Sequence, residues 1–525
     1  MGTASSRRHR MQNRAGGTQS HSTVKVFLGI VLGLLVGVLS TSMINTSLPV
    51  IVADLGGGQS TLTWVATGPL LALTVSTPIW GKVSDVVGRK PLMLIALLLF
   101  IASSFGAGLS ATPIMLIAAR SVQGLATGGL LTLPQVVLSD VISPRDRGRY
   151  SGLMGAIITA GTAGGPIVGG SITDAFGWRW TFFALVPFAI VALAVIALRL
   201  RLPHRHSIGR IDYVGSALLV VSISALLLWL SLAGTAFAWD SALSWAIAAG
   251  AVALLTVTAI VQARKADSVL PVRLFRDRTF ALAVISSFCV GVVIYGYSIY
   301  LIQYLQFSRG ATASQAGLMT LPQVTANLIA SSAAGFLISR FGAWKPWLVA
   351  GGVFISSSAV LLATLRAGSP IVIVYIGAAL IGLGLGMTLQ TLVLAVQNAS
   401  DPREVGTASS AVSFFRSLGG VLAISCFGSL LEHRVSAEIA SGLARAGITH
   451  STLGTTPGAL PDVTSLPQSA RIVVETAYGD GIGLIFAIMI PVALVALVCI
   501  ILIPNARLKT QTGIEQLAEF DAVDS

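Results

Sequence analysis

Charge is scarce in this 525-residue sequence. Asp, Glu, Lys and Arg make up 10% of it, while 54% is hydrophobic. So small a polar share cannot cover a water-facing exterior, which excludes an ordinary soluble domain. Cysteine is almost missing. The three present, Cys289, Cys426 and Cys499, all lie in apolar runs, which leaves no disulfide framework and no C-x-x-C metal spacing. They read as small packing residues. The six histidines (9, 21, 204, 206, 433 and 450) fall in tails and loops, and none of the 20 acidic residues sits in the middle of an apolar run. Without clustered His, Cys or carboxylates in those runs, and without a P-loop, a metal site, an enzyme centre and ATP hydrolysis all lack residues.

Long apolar runs are what the chain has instead. A helix needs roughly 20 apolar residues to cross about 30 Å of hydrocarbon. Fourteen candidate spans follow: 24–47, 62–81, 92–110, 113–138, 150–172, 179–199, 213–233, 243–262, 279–303, 317–338, 346–365, 370–393, 407–430 and 481–504. The expected fold is an all-α integral membrane protein. Loops on the N-terminal side of this layout hold 25 of the 33 Lys and Arg residues and the opposite side holds 6, leaving only Arg120 and Arg416 inside spans. By the positive-inside rule both termini are cytoplasmic. The same asymmetry accounts for the net charge of +13 with no nucleic acid as partner; the lipid bilayer takes that place. Residues 1–23 read as a disordered cytoplasmic tail before an uncleaved first span, 505–525 as a second cytoplasmic tail, and 432–480 as an extracytoplasmic loop, partly ordered at most. A weak repeat relates Gly81–Gly88, after span 2, to Gly335–Gly342, after span 10. Its spacing implies two extra spans between two halves, a common build for secondary transporters.

Four motifs carry the chemistry. Gly81-Lys-Val-Ser-Asp85-Val-Val-Gly88-Arg89-Lys90 joins spans 2 and 3. Its glycines permit a tight turn, and Asp85 can pair with Arg89 as a latch made in one conformation. In span 4, Arg120, Gln123 and Gly124 share one helix face. An embedded arginine there costs about 2.5–3.5 kcal/mol on insertion scales, so it needs a partner or an aqueous cavity. In span 5, Gly161, Gly165, Pro166, Gly169 and Gly170 make a flat face for close helix approach, with a proline that removes a backbone donor. Arg416 begins Arg-Ser-Leu-Gly-Gly420 in span 13, where a substrate carboxylate or phosphate and its own helix carbonyls are alternative partners. Tyr295, Tyr297, Tyr300 and Tyr304 stand toward the outer end of span 9, a place that favours an interfacial aromatic belt over a pocket lining.

These motifs resemble signatures of the major facilitator superfamily: G-x-x-x-D-x-x-G-R-[KR] between spans 2 and 3, R-x-x-Q-G in span 4, and the exporter element G-x-x-x-G-P-x-x-G-G in span 5. Further marks, among them Asn45-Thr-Ser-Leu-Pro49, Trp64-Val-Ala-Thr67, Asp212-Tyr-Val-Gly215 and Arg416-Ser-Leu-Gly-Gly420, resemble its fourteen-span drug:proton antiporter branch, the QacA/EmrB-like exporters. The resemblance runs from about residue 26 to 504. It implies a six-helix bundle over 24–199, a linker region with two extra spans over 200–278 and a second six-helix bundle over 279–504. It implies bundles rocking about a midplane cavity, with no cofactor and the proton gradient as energy source. It further implies a monomer in the inner (plasma) membrane that exports small amphipathic compounds, antibiotics among them. Gly81, Asp85, Gly88, Arg89 and Lys90 would gate, and Arg120, Gln123 and Gly124 would serve coupling.

One departure stands out. Where that branch carries an aspartate in span 1, this sequence has Ser40. The carboxylates left at span edges are Asp54, Asp85, Asp140, Asp174 and Asp240, with Asp54 the first choice as proton carrier and Asp85 the second. Ser40, Asn45, Tyr297 and Arg416 are the candidate substrate-cavity residues. With two embedded arginines and no mid-span acid, the expected substrates are neutral, zwitterionic or anionic amphiphiles rather than dications. Export of one endogenous lipid, siderophore or antibiotic is the alternative function, and a transport-dead sensor a second.

Overall fold

The computed structural model describes residues 28–44, 47, 51, 54–55, 59–141, 144–200, 213–233, 237–264, 272–311, 313–401, 404–445 and 468–508. The N-terminal tail, Asn45, residues 446–467 and most of the C-terminal tail lie outside them. Among the described residues the regular secondary structure is helical, apart from a single bridge between Ala233 and Phe237. Helices stand at every predicted span: α1 (Leu28–Ile44), α2 (Gln59–Val87), α3 (Arg89–Gly108), α4 (Pro113–Val141), α5 (Pro144–Phe176), α6 (Arg179–Phe183) with α7 (Val186–Arg199), α8 (Tyr213–Leu232), α9 (Ala242–Arg264), α10 (Arg278–Gln303), α11 (Ala313–Met319) with α12 (Leu321–Phe341), α13 (Lys345–Leu362), α14 (Ile371–Ala399), α15 (Val405–Arg445) and α16 (Gln468–Leu502). Among the described residues, ten helical stretches are long and apolar enough to cross a membrane, and three further apolar helices are shorter. Large apolar side chains stand uncovered on these helices, Ile114, Leu198 and Phe176 among them. Such surface suits hydrocarbon as solvent.

The chain forms two compact units. One comprises residues 1–141 and 160–211, the other 142–159 and 212–525, so the first part of α5 groups with the second unit. In the first unit α4 packs on α2 and α3, and α3 on α7. The indole N–H of Trp80 (α2) donates to the Leu125 carbonyl of α4 at 2.8 Å. In the second unit the same neighbours recur one repeat later: α14 on α12 and α13, and α13 on α16. The core of this unit is a cluster running through α10, α13, α14, α15 and α16. The hairpin α8–α9 packs on itself, and among the described residues it also packs on α15 and the short 3-10 turn Val272–Arg276. That turn is fastened to the start of α15 by an ion pair of Arg273 with Glu404.

Two features depart from the sequence expectation. The segment 432–480 is helical at both ends: α15 runs on to Arg445, and α16 begins at Gln468. Leu431 and Val435 pack there with Val474, and Gly442 lies against Val473. At 41 residues α15 is about 60 Å long, twice a hydrocarbon thickness. The second departure concerns the span 9 tyrosines. Tyr297, Tyr300 and Tyr304 are buried in the core of the second unit, not arrayed as an interfacial belt. Their spacing of three and four residues puts them on one helix face, and that face meets α15 and α16. The chain then continues as a π-helical turn, Tyr304–Ser308. The hydroxyls of Tyr300 and Tyr304 donate to the carbonyls of Ile424 (3.0 Å) and Arg366 (2.8 Å).

Candidate functional site

The motif from Gly81 to Lys90 folds as a helix–glycine–helix corner. Gly81 to Val87 complete the last turns of α2, Gly88 makes the turn at φ 98°, and Arg89 opens α3. A positive charge on the first residue of a helix opposes the helix dipole. Asp85 offsets it: its Oδ1 accepts from Arg89 Nη2 at 3.0 Å, with the two side chains 6% and 1% exposed. Arg89 Nη1 also donates to the Ser84 carbonyl at 3.3 Å. The Lys90 ammonium caps the other side, donating to the Ala197 carbonyl at the end of α7 (2.7 Å).

Arg120 is buried where α4 faces α3. Its Nη1 donates to Gln123 Oε1 at 2.6 Å, and Gln123 Nε2 donates to Ser104 Oγ of α3 at 2.9 Å. Among the described residues no carboxylate pairs with Arg120, and its buried Nε has no partner. Gly124 lies against the backbone of Pro69, which holds α4 on α2 at this level. The motif alone could not supply Ser104; the signal was the Ser103–Ser104 pair inside an apolar run.

Asp54 is not brought to Arg120. Its Oδ2 accepts from the Trp178 indole at 2.9 Å and from Arg179 Nη1 at 3.0 Å. The guanidinium also stacks over the Trp178 ring, 4.2 Å from its centre, and reaches the Ser110 carbonyl beyond α3. These bonds, Trp178 first and then Arg179, hold the Asp54 carboxyl below the usual carboxylate range. Asp54 therefore ties three chain segments together as an ionised group. Asp240 is exposed, and the side chains of Asp140 and Asp174 lie outside the described ones.

The glycine face of α5 is built against α1. Ser42 Oγ donates to the Gly161 carbonyl at 3.1 Å. A Cβ on Gly165 would strike Ser42, and one on Gly169 the carbonyl oxygen of Met43. Gly170 is half-buried, and the Pro166 side chain lies outside the described ones. Ser40 is 1% exposed and donates to the Gly37 carbonyl of its own helix at 2.8 Å. Asn45 lies outside the described residues. Tyr297 is 2% exposed, with a hydroxyl that has no partner among the described residues. Arg416 is half-buried on α15 and makes no hydrogen bond or ion pair among the described residues; Tyr295 is close enough to interact with it electrostatically. Among the described residues no group of three or more metal-ligating side chains occurs, and the three cysteines are free.

A family model described as Major Facilitator Superfamily matches residues 30–424. An uncharacterized MFS-type transporter of Mycobacterium tuberculosis is 33% identical over 92% of this chain and 70% of its own. The multidrug transporter protein MdtP of Bacillus subtilis is 31% identical over 80% of this chain and 77% of its own. Among solved structures, the MFS proton:xylose symporter XylE superposes with a TM-score of 0.61 at 15% identity, over 95% of this chain and 99% of that one.

Proposed function

This chain belongs to the Major Facilitator Superfamily, and we propose that it is a secondary active exporter of small amphipathic compounds, driven by proton entry. In this reading it crosses the plasma membrane fourteen times, keeps both termini in the cytoplasm and works as a monomer without a cofactor. The observation that carries the reading is the contact of α5 with α1. The exporter-type glycines Gly165 and Gly169 seat directly on Ser42 and Met43, with no room for a side chain between. A relative named as a multidrug transporter supports the same direction.

The roles divide as follows. Asp85 and Arg89 lock the corner between α2 and α3 in one state of the cycle. Arg120, held by Gln123 and Ser104, places an uncompensated charge where a titrating or anionic group gains from meeting it. A second reading, export of a single endogenous product, is favoured by Ser40. A self-bonded serine stands where the branch that the sequence resembles carries an aspartate.

Accumulation of chemically varied amphiphiles in an efflux-deficient host tests the proposal. Expression of this chain should lower accumulation several-fold for at least one class. A protonophore should restore it, and Arg120→Ala should cut export about tenfold or more. Unchanged accumulation across the whole set would remove the broad exporter reading and leave a dedicated substrate or a sensor.

A further inference from the structure

Arg416 sits 11 residues after the first residue of α15, roughly 16 Å along the helix axis and so near the middle of a bilayer-thick segment. Two partners were open to it on sequence alone, a bound anion or the carbonyls of its own helix. In the structure it takes neither: no carbonyl, carboxylate or hydroxyl among the described residues bonds its guanidinium, and the residue as a whole is half-buried. Its place is nonetheless fixed by tight packing. The hydroxyl of Ser287 (α10) donates to the Val412 carbonyl at 2.7 Å. One turn on, a Cβ on Gly291 would strike the carbonyl of Arg416 itself; a turn further, the Tyr295 ring lies across Gly420. Positions 287, 291 and 295 of α10 thus step along 412, 416 and 420 of α15. The missing side chains at Gly291 and Gly420 bring the backbones together and set the Tyr295 phenol beside the guanidinium.

We propose that Arg416 and Tyr295 form a recognition site for the oxyanion of an amphipathic substrate, a carboxylate, sulfonate or phosphate on an apolar body. The guanidinium supplies a planar fork of donors that fits two oxyanion oxygens, and the phenol supplies a third donor. Phe288 and Ile294, on the same helix, are partly buried against the apolar core of the unit. The proposal rests on the exporter reading and narrows its substrate class to anions.

The test uses the full chain in lipid nanodiscs, with empty discs as background, and two probes of equal shape: naphthalene-1-sulfonate and its neutral sulfonamide. Equilibrium binding should favour the sulfonate. Arg416→Gln should weaken sulfonate binding at least tenfold while sulfonamide binding changes less than twofold. Arg416→Lys should fall between, and Tyr295→Phe should lose a smaller factor for the sulfonate alone. Thermal unfolding of each variant separates a lost donor from a lost fold. No preference for the sulfonate in the parent chain, or an equal loss of both probes in Arg416→Gln, would overturn the site. Flux of the same probes in proteoliposomes is read separately. Charge-selective binding without flux keeps the site and sinks the exporter reading; flux indifferent to Arg416 does the reverse.

Discussion

Asp54 and Arg120 divide the electrostatics of the first unit between them. Asp54 is satisfied and Arg120 is not. A carboxyl whose folded value is depressed contributes stability above its ordinary range and loses it only as pH falls through the depressed value. Asp54 is such a group, so between about pH 5 and 8 it stays ionised and bonded to Trp178 and Arg179. To carry a proton it would first have to leave that clamp. Asp54→Asn should therefore lower export modestly, through a looser outer corner, and leave the pH profile of the rate unchanged in shape over that window. A profile flattened by the substitution would restore Asp54 as the carrier. The sequence made Asp54 visible as a carboxylate at a span edge. Its partners, more than 120 residues away at Trp178 and Arg179, were not legible, because only the packed helix ends bring them together.

At the scale of elements, helix contacts were legible where they depend on missing side chains. The α5 glycines announced a close helix partner, and α1 is that partner. Gly169→Ala places a methyl on the Met43 carbonyl and must push the helices apart, at about 1–3 kcal/mol for an overpacked core. Thermal unfolding should fall by several degrees, with export reduced. Gly170→Ala, at a half-buried position beside it, should do less on both counts. Equal effects at the two positions would mean that the α1 contact is not what the glycine face serves. The repeat was legible for the same reason. Gly88 (φ 98°) and Gly342 (φ 71°) each follow a helix at a positive φ that only glycine adopts freely, and the neighbouring helices pair alike in both units. The extension of α15 was not legible. Residues 432–445 are polar enough to leave a hydropathy plot, yet Ala, Glu, Leu and Arg are strong helix formers. Their cover comes from α16, far along the chain.

For the whole molecule, composition alone excluded water as the solvent, and basic-residue asymmetry leads to the expectation of cytoplasmic termini. What neither supplied was the balance of charge inside the spans. Two embedded arginines, one in each unit, lack carboxylate partners among the described residues. An exporter built this way suits an anionic cargo, and that has an energetic consequence. One anion leaving while one proton enters moves two charges across the potential, each worth about 2.3 kcal/mol per 100 mV. Export of an anion should then respond to voltage more steeply than export of a neutral isostere of the same shape.

The most direct test reconstitutes the chain in proteoliposomes and imposes an acid, positive lumen. The lumen stands for the cell exterior to those molecules inserted cytoplasmic side out. Naphthalene-1-sulfonate and its sulfonamide are then followed into the vesicles, with protein-free liposomes alongside. The account predicts protein-dependent accumulation above the external concentration, collapse on adding a protonophore, and a steeper voltage response for the sulfonate. If both probes only equilibrate to the level of protein-free liposomes under every gradient, this chain is not a secondary exporter of amphipathic compounds.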